Sequence, residues 1–488
     1  MGSLTQLLIT PVATAVLIAL LPGQNQRLIR GVALFGSAIA LLLSWRLFAG
    51  FDNSLADMQF MEIVPWNPRL GTSYAVGIDG ISLSMILLAT LLSLVALAAS
   101  ASITKQVKGY YILVLVLESA MLGVFMAQDW SLFYVFWELT LIPLFFLIDR
   151  WGGKNRQGAA LNFVLYTMGG SVFMLLSLLV LFDTLPGHSF AMDQMRAGAH
   201  LISEQKQVLI FLGFLIGFGV KMPIFPIHGW LPLAHVEAPS PISILLSGIL
   251  LKMGSYGLIR AAQTLPDAVI SLQGVLVAIA LVSLVYGGLL AWRQWDLKRM
   301  IAYSSVSHMG VVLLGIATLN FAGLTGAVMQ MMAHGLVAGA MFLLIGLLYE
   351  RTHTRNINDY SSLLRVAPRF AFFTTIAFIG AVGLPGTFGF IAELHVLIGG
   401  FERWGWLVVL LTLGVLISAA YAIRTIGRLF TGPVRKEMQD IEDLRPSEMA
   451  GAIVLTGGIV LLGVFPAPAL ELISASITQL SATFAAHL

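Results

Sequence analysis

The chain has 488 residues, 58% of them hydrophobic and only 10% charged, whereas a soluble globular protein carries about 25% charged residues. That composition excludes a soluble enzyme, and the basic residues behind the formal charge of +3 lie in short loops rather than in a stripe or patch, so no nucleic-acid partner is expected. Cysteine is absent, so the chain holds no disulfide, no thiolate metal site and no cysteine-held iron–sulfur cluster.

The first segment, MGSLTQLLIT, has no basic stretch ahead of its apolar run. It reads as a retained membrane helix rather than a cleaved signal peptide. Apolar runs of about 20 residues then recur along the whole chain, as membrane-crossing helices require. Charges, Pro and Gly divide them into fourteen spans, near 4–21, 29–48, 78–102, 108–127, 131–149, 158–183, 206–226, 241–264, 269–291, 300–319, 322–349, 369–400, 405–430 and 449–472. The expected fold is therefore an all-α polytopic membrane protein forming a single membrane domain, 1–488. Its longest polar connections are 49–77, 184–205 and 350–368.

The distribution of basic residues supports this division, because a missed helix would scramble the alternation of sides. Nineteen of the 27 Lys and Arg residues fall on one side and six on the other, leaving Lys221 and Lys252 inside spans. The basic side is expected to be cytoplasmic, which places both termini on the opposite side.

Two spans carry internal breaks. Span 7 meets KMPIFP at 221–226, and span 12 contains GLPGTFG at 383–389. Proline removes a backbone donor and clashes with the preceding turn. Such a break is tolerated at membrane depth only where it is buried or lines a polar cavity. Breaks five spans apart predict two inverted five-helix repeats, 108–264 and 269–430, a common transporter design. Two unrelated proline kinks would give the same pattern.

Few ionisable groups remain inside the spans: Glu118, Glu138, Lys221, Lys252 and Glu393, with His308 and His334 as titratable companions. A charged side chain at mid-helix costs about 2.5–3.5 kcal/mol on insertion scales, so these groups are expected to face one another or water. Glu138 and Lys221 are expected to act as a pair in which separation favours a neutral lysine and releases a proton. The alternative is a salt bridge that fixes helix packing. Lys252, with Gly248 and Ser255 on its face, is expected to relay protons between the halves or to pair with Glu118 or a backbone carbonyl. His308, beside Ser304 and Ser305, and His334, beside Gln330, are expected as relays or as hydrogen-bonded packing residues. Glu393, after the second break, is expected to be the terminal proton site. His228, just past the first break, is a further relay candidate. No GxGxxG and no P-loop is present, so nothing in the chain reads as a nicotinamide, flavin or nucleotide site. No metal site is expected either.

At these residues the chain resembles a known family. AQDWSLFYVFWELTLIPLFFLI, GVKMPIFPIHGWLPLAHVEAPSPISILLSGILLKMGSYGLIR and KRMIAYSSVSHMG are similar to the antiporter-like membrane subunits of proton-pumping NADH:quinone oxidoreductase, respiratory complex I, in particular the chain M type. QMMAHGLVAGAMFLL and GLPGTFGFIAEL add to the likeness, which runs over nearly the whole chain. The resemblance implies a fourteen-helix core whose two repeats each hold a half-channel around a broken helix. It implies that Glu138 and Lys221 are the coupled pair, Lys252 the connecting lysine, His308 and His334 the central histidines and Glu393 the terminal acid. An acid rather than a lysine in span 12 favours chain M over the L and N types, and the short C-terminal segment does not resemble the long lateral helix of chain L. Glu118 lies outside the family pattern.

The resemblance also implies a translocase subunit without its own redox site. NADH, FMN, iron–sulfur clusters and quinone are then expected in partner subunits. The partners would be L-type and N-type antiporter-like chains and small membrane subunits, embedded with this chain in a bacterial inner membrane. Related readings are a subunit of a Mrp-type sodium/proton antiporter, of a membrane-bound hydrogenase, or of a ferredoxin-driven photosynthetic complex. A membrane scaffold without transport of its own is a further alternative.

Overall fold

A computed structural model describes residues 2–485. Among these, twelve helices are long and apolar enough to cross a bilayer: Ser3–Leu20, Gln26–Ala49, Gly80–Ser102, Val107–Met126, Trp130–Trp151, Arg156–Thr184, Ser240–Thr264, Gln273–Arg293, Leu297–Thr318, Phe321–Thr352, Leu410–Phe430 and Pro446–Val464. These are spans 1–6, 8–11, 13 and 14. The remaining two spans are interrupted as the prolines require. Span 7 is Glu204–Lys221 followed by Trp230–Glu237, and span 12 is Pro368–Val382 followed by Phe388–Trp404.

The chain is helical as expected, and the 49–77 connection, expected as a polar loop, holds a hairpin instead. Strands β1, Gln59–Asn67, and β2, Thr72–Ile78, form an antiparallel hairpin with Glu62 opposite Val76 and Val64 opposite Tyr74. Gly71 supplies the left-handed conformation at its turn, with φ +59°. The hairpin is tied to span 5 by Asp129, which accepts from the Ser73 amide at 3.0 Å while capping its own helix through the Ser131 amide at 2.8 Å. The sequence reading also passes over two helices. Met192–Gly198 sits in the 184–205 connection. Ala467–Ala485 follows span 14 and packs on spans 3 and 11.

Spans 8, 10 and 11 form the centre and are buried almost throughout, whereas spans 1, 2, 6, 9, 13 and 14 leave much of their apolar surface to lipid. Helices packing in lipid gain little from hydrophobic transfer, so close contact depends on small residues. A Cβ on Gly254 of span 8 would lie 2.7 Å from the Met222 amide nitrogen at the break of span 7. One on Gly326 of span 11 would lie 2.5 Å from the Val396 nitrogen in span 12. Each broken helix is thus pressed against a central span by a glycine, which sets the depth of the polar residues described next.

Candidate functional site

The break in span 7 is built from carbonyls that proline deprives of their usual donors. Gly219 would ordinarily receive the amide of Pro223, which has none; the Ile224 amide bonds it instead at 3.1 Å. The Val220 carbonyl accepts from the Trp230 indole at 2.8 Å. The Phe225 amide reaches the Ser283 hydroxyl of span 9 at 2.9 Å. Every one of these groups is satisfied without a continuous helix, so the break is a defined structure.

Lys221 is the last residue of the first half of span 7 and is 3% exposed. Its ammonium donates to the Thr140 hydroxyl at 2.9 Å and lies 3.9 Å over the Trp137 ring. A weaker contact reaches the Trp137 carbonyl at 3.4 Å. Trp137 and Thr140 flank Glu138, yet among the described residues no ion pair joins Glu138 to Lys221. The expected pair is therefore present as neighbours held apart. Thr140 takes the lysine, and the Glu138 Oε1 oxygen is buried without a partner. Thr140 also marks where span 5 divides into Trp130–Leu139 and Leu141–Trp151.

Lys252 sits deeper, fully buried in span 8. Just before it, Leu246–Leu250 forms a π-turn, which widens the helix. The Ser247 carbonyl thereby comes within 2.6 Å of the Lys252 ammonium, which also meets His334 Nδ1 of span 11 at 2.6 Å. This corrects two expectations. The π-turn shifts the helix phase, so Lys252 does not share a regular face with Gly248. Nor does Lys252 pair with Glu118, which is fully buried and bonded to Ser37 of span 2 at 3.2 Å.

From His334 the line continues to His308 of span 10, with ring centroids 5.2 Å apart and planes inclined at 58°. Between them and span 12 lies a void of about 10 Å³ lined by His308, Gln330, His334, Gly380, Ala381 and Gly389, among others. That is about the space of one water. The Gln330 Oε1 and His308 Nδ1 atoms have no protein partner. His308 Nε2 lies 2.9 Å from the Ala381 carbonyl. Ala381 stands four residues before Pro385, so its carbonyl is one the second break leaves without an amide. A carbonyl only accepts, so Nε2 carries the proton and Nδ1 is available to receive one.

Beyond Ala381, the break turns through Gly383, with φ +74°. A Cβ there would lie 2.6 Å from Glu393 Oε2, so the Glu393 carboxyl rests against the break itself. Lys252, His334, His308 and Glu393 thus follow one another across spans 8, 11, 10 and 12. His228 is brought to the first break but packs between Phe225 and Tyr286, at 6.1 and 5.6 Å, with Nδ1 unpartnered. His235 went unnoticed among the candidates, although it stands in the HGWLPLAHVEAP run. It is fully buried, stacked on Phe342 at 4.5 Å, with neither ring nitrogen partnered. Its signal was a second histidine within the most informative stretch of the sequence. No cluster of three or more metal-ligating side chains occurs among the described residues.

Comparison with known proteins follows from this arrangement. Residues 127–418, which contain both breaks and every residue of the line, match the family described as "NADH:quinone oxidoreductase/Mrp antiporter, TM". The chain is 39% identical to "NAD(P)H-quinone oxidoreductase chain 4 2" of Thermosynechococcus vestitus, over 98% of this chain and 91% of the relative. It is 40% identical to "NADH-quinone oxidoreductase subunit M" of Rhodobacter capsulatus, over 94% and 91%. A chain in the structure of "Respiratory complex I from Thermus thermophilus with bound NADH" superposes with a TM-score of 0.90 at 31% identity, covering 99% of both chains.

Proposed function

We propose, from the premise that the chain belongs to the NADH:quinone oxidoreductase/Mrp antiporter transmembrane family, that its buried line of polar groups carries protons across the membrane. The chain is an antiporter-like subunit of NADH:quinone oxidoreductase, of the chain M type. Electron transfer belongs to partner subunits in this reading, with NADH, FMN, iron–sulfur clusters and quinone bound there. L-type and N-type chains and small membrane subunits flank it, in a bacterial inner membrane with both termini outside. The repeats span 108–264 and 269–430, each with one broken helix.

The observation that carries the reading is the unbroken adjacency of Lys252, His334, His308 and the break that holds Glu393. Thr140 holds the Lys221 ammonium at rest. When Glu138 approaches, its charge draws a proton onto Lys221; when it withdraws, the proton is released toward the centre. Lys252 hands a proton to His334 Nδ1, to which it is already bonded. His334 passes one across the void to His308 Nδ1, and His308, its ring turned from the Ala381 carbonyl, gives its Nε2 proton to Glu393. Glu393 is the acceptor at the second break. Each hop exchanges one proton between neighbouring atoms, so no group needs to hold two charges.

The experiment is donor-driven proton uptake into membrane vesicles carrying Glu138→Gln, with the amount of assembled complex measured on the same sample. Pumping is expected to be lost in a normally assembled complex. Normal pumping with normal assembly would overturn the role of the first half-channel.

A further inference from the structure

A second string of polar groups leaves Lys252 in the opposite direction. Lys252, Tyr256 and Arg260 recur every four residues along Leu251–Thr264, and so share one face. Arg260 is 5% exposed and its Nη2 lies 2.8 Å from each carboxylate oxygen of Asp79. The same nitrogen donates to the Ser82 hydroxyl at 3.1 Å. Ser82 in turn lies 2.9 Å from the Tyr256 hydroxyl, which donates to the Phe125 carbonyl at 3.1 Å. Asp79 Oδ1 also caps span 3 by accepting the Ser82 amide at 2.8 Å.

Past the ion pair opens a polar cavity of about 80 Å³, lined among others by Gln128, Gln263, Ser476 and Gln479. Arg260 Nε has no protein partner. A buried ion pair gains little stability over an apolar contact of the same shape. One that only fixed packing would need neither a hydroxyl string on its inner side nor a cavity on its outer side. By the distribution of basic loops, this end of span 8 faces the non-cytoplasmic side.

We propose that Tyr256, Ser82 and Asp79 form an outlet by which protons leave Lys252 for the non-cytoplasmic side. This rests on the proton-translocating reading above. In the arrangement seen, the Lys252 ammonium points away from Tyr256, toward Ser247 and His334. Swung the other way, it delivers a proton to the Tyr256 oxygen as the phenol's own proton turns from the Phe125 carbonyl and passes to Ser82. The Ser82 hydroxyl, which shares the Arg260 Nη2 donor with Asp79, turns from it to pass its proton to a carboxylate oxygen of Asp79, and Asp79 releases it into the cavity.

The test is Tyr256→Phe in the assembled complex. The ring that meets Phe125 edge-on at 5.3 Å and lies under Arg260 at 4.8 Å is kept, and only the hydroxyl is lost. Coupled proton translocation is expected to fall about a hundredfold or more, the usual loss for a missing proton-transfer group, at unchanged assembly. As a second readout, Gln479→Cys is placed at the exposed rim of the cavity in a chain that has no cysteine of its own. A charged, membrane-impermeant methanethiosulfonate added outside is expected to label this chain and to slow pumping. Wild-type pumping by Tyr256→Phe, or after full labelling of Gln479→Cys, would overturn the outlet. Glu138→Gln measured alongside separates the two ideas. If Glu138→Gln stops pumping while both outlet variants pump normally, only the outlet fails. If all three pump normally, the translocation reading fails with it.

Discussion

At the scale of single residues, the site turns on which partner each buried cation takes. Lys221 and Glu138 were legible in the sequence because a charge inside an apolar run is rare and costly. Their partners were not legible. Thr140 looks like any other hydroxyl in ELTLIP, yet it is the group that holds Lys221 at 2.9 Å. Thr140→Val keeps the shape and removes the hydroxyl. A hydrogen bond to a charged group contributes about 1.5–3 kcal/mol, so the lysine loses its resting position. Assembly is expected to persist while the pumping rate falls about tenfold, measured as donor-driven acidification of vesicles. An unchanged rate would mean that Thr140 is only a packing neighbour. Glu118 shows the limit of reading charges from sequence. It is as buried as Lys252, but it bonds only Ser37 of span 2.

At the scale of elements, the two broken helices were readable from their prolines, and the purpose of each break only from the structure. Spacing cannot show that a carbonyl freed by Pro385 is taken up by a histidine from another span. The π-turn at Leu246–Leu250 left no mark in the sequence either, because it changes the phase of span 8 and not its composition. The hairpin β1–β2 was hidden for a different reason. Its strand QFMEIVPWN contains a proline and sits in a connection whose polarity reads as loop. Pro385→Ala tests the second break directly. It restores an amide at the position from which a regular helix would bond the Ala381 carbonyl, in competition with His308 Nε2. The expected result is an assembled complex with slowed pumping and a displaced His308 ring in its structure. If the ring and the rate both stay as they were, the carbonyl is not the handle on His308.

At the scale of the whole molecule, the arrangement puts the almost wholly buried spans 8, 10 and 11 between two broken helices and the lipid-facing spans outside them. The count of fourteen crossings and the basic-loop asymmetry came from the sequence, since both depend on composition summed over long segments. The convergence of spans 8, 11, 10 and 12 on one line did not, since it requires knowing which helices touch. The glycines that permit it, Gly254 and Gly326, are scattered among 48 glycines with nothing local to distinguish them. Lys252 lies where the line between the two breaks begins and where the proposed outlet branches off.

Replacing that one ammonium therefore bears on the account as a whole. Lys252→Met has a similar length and suits an apolar interior, so it removes the proton carrier without emptying its space. The measurement is donor-driven proton translocation by the assembled complex carrying Lys252→Met, normalised to the amount of complex. The account predicts assembly near the wild-type level with translocation through this subunit abolished. Wild-type translocation at wild-type assembly would contradict it, because no route through the centre of this fold could then depend on Lys252.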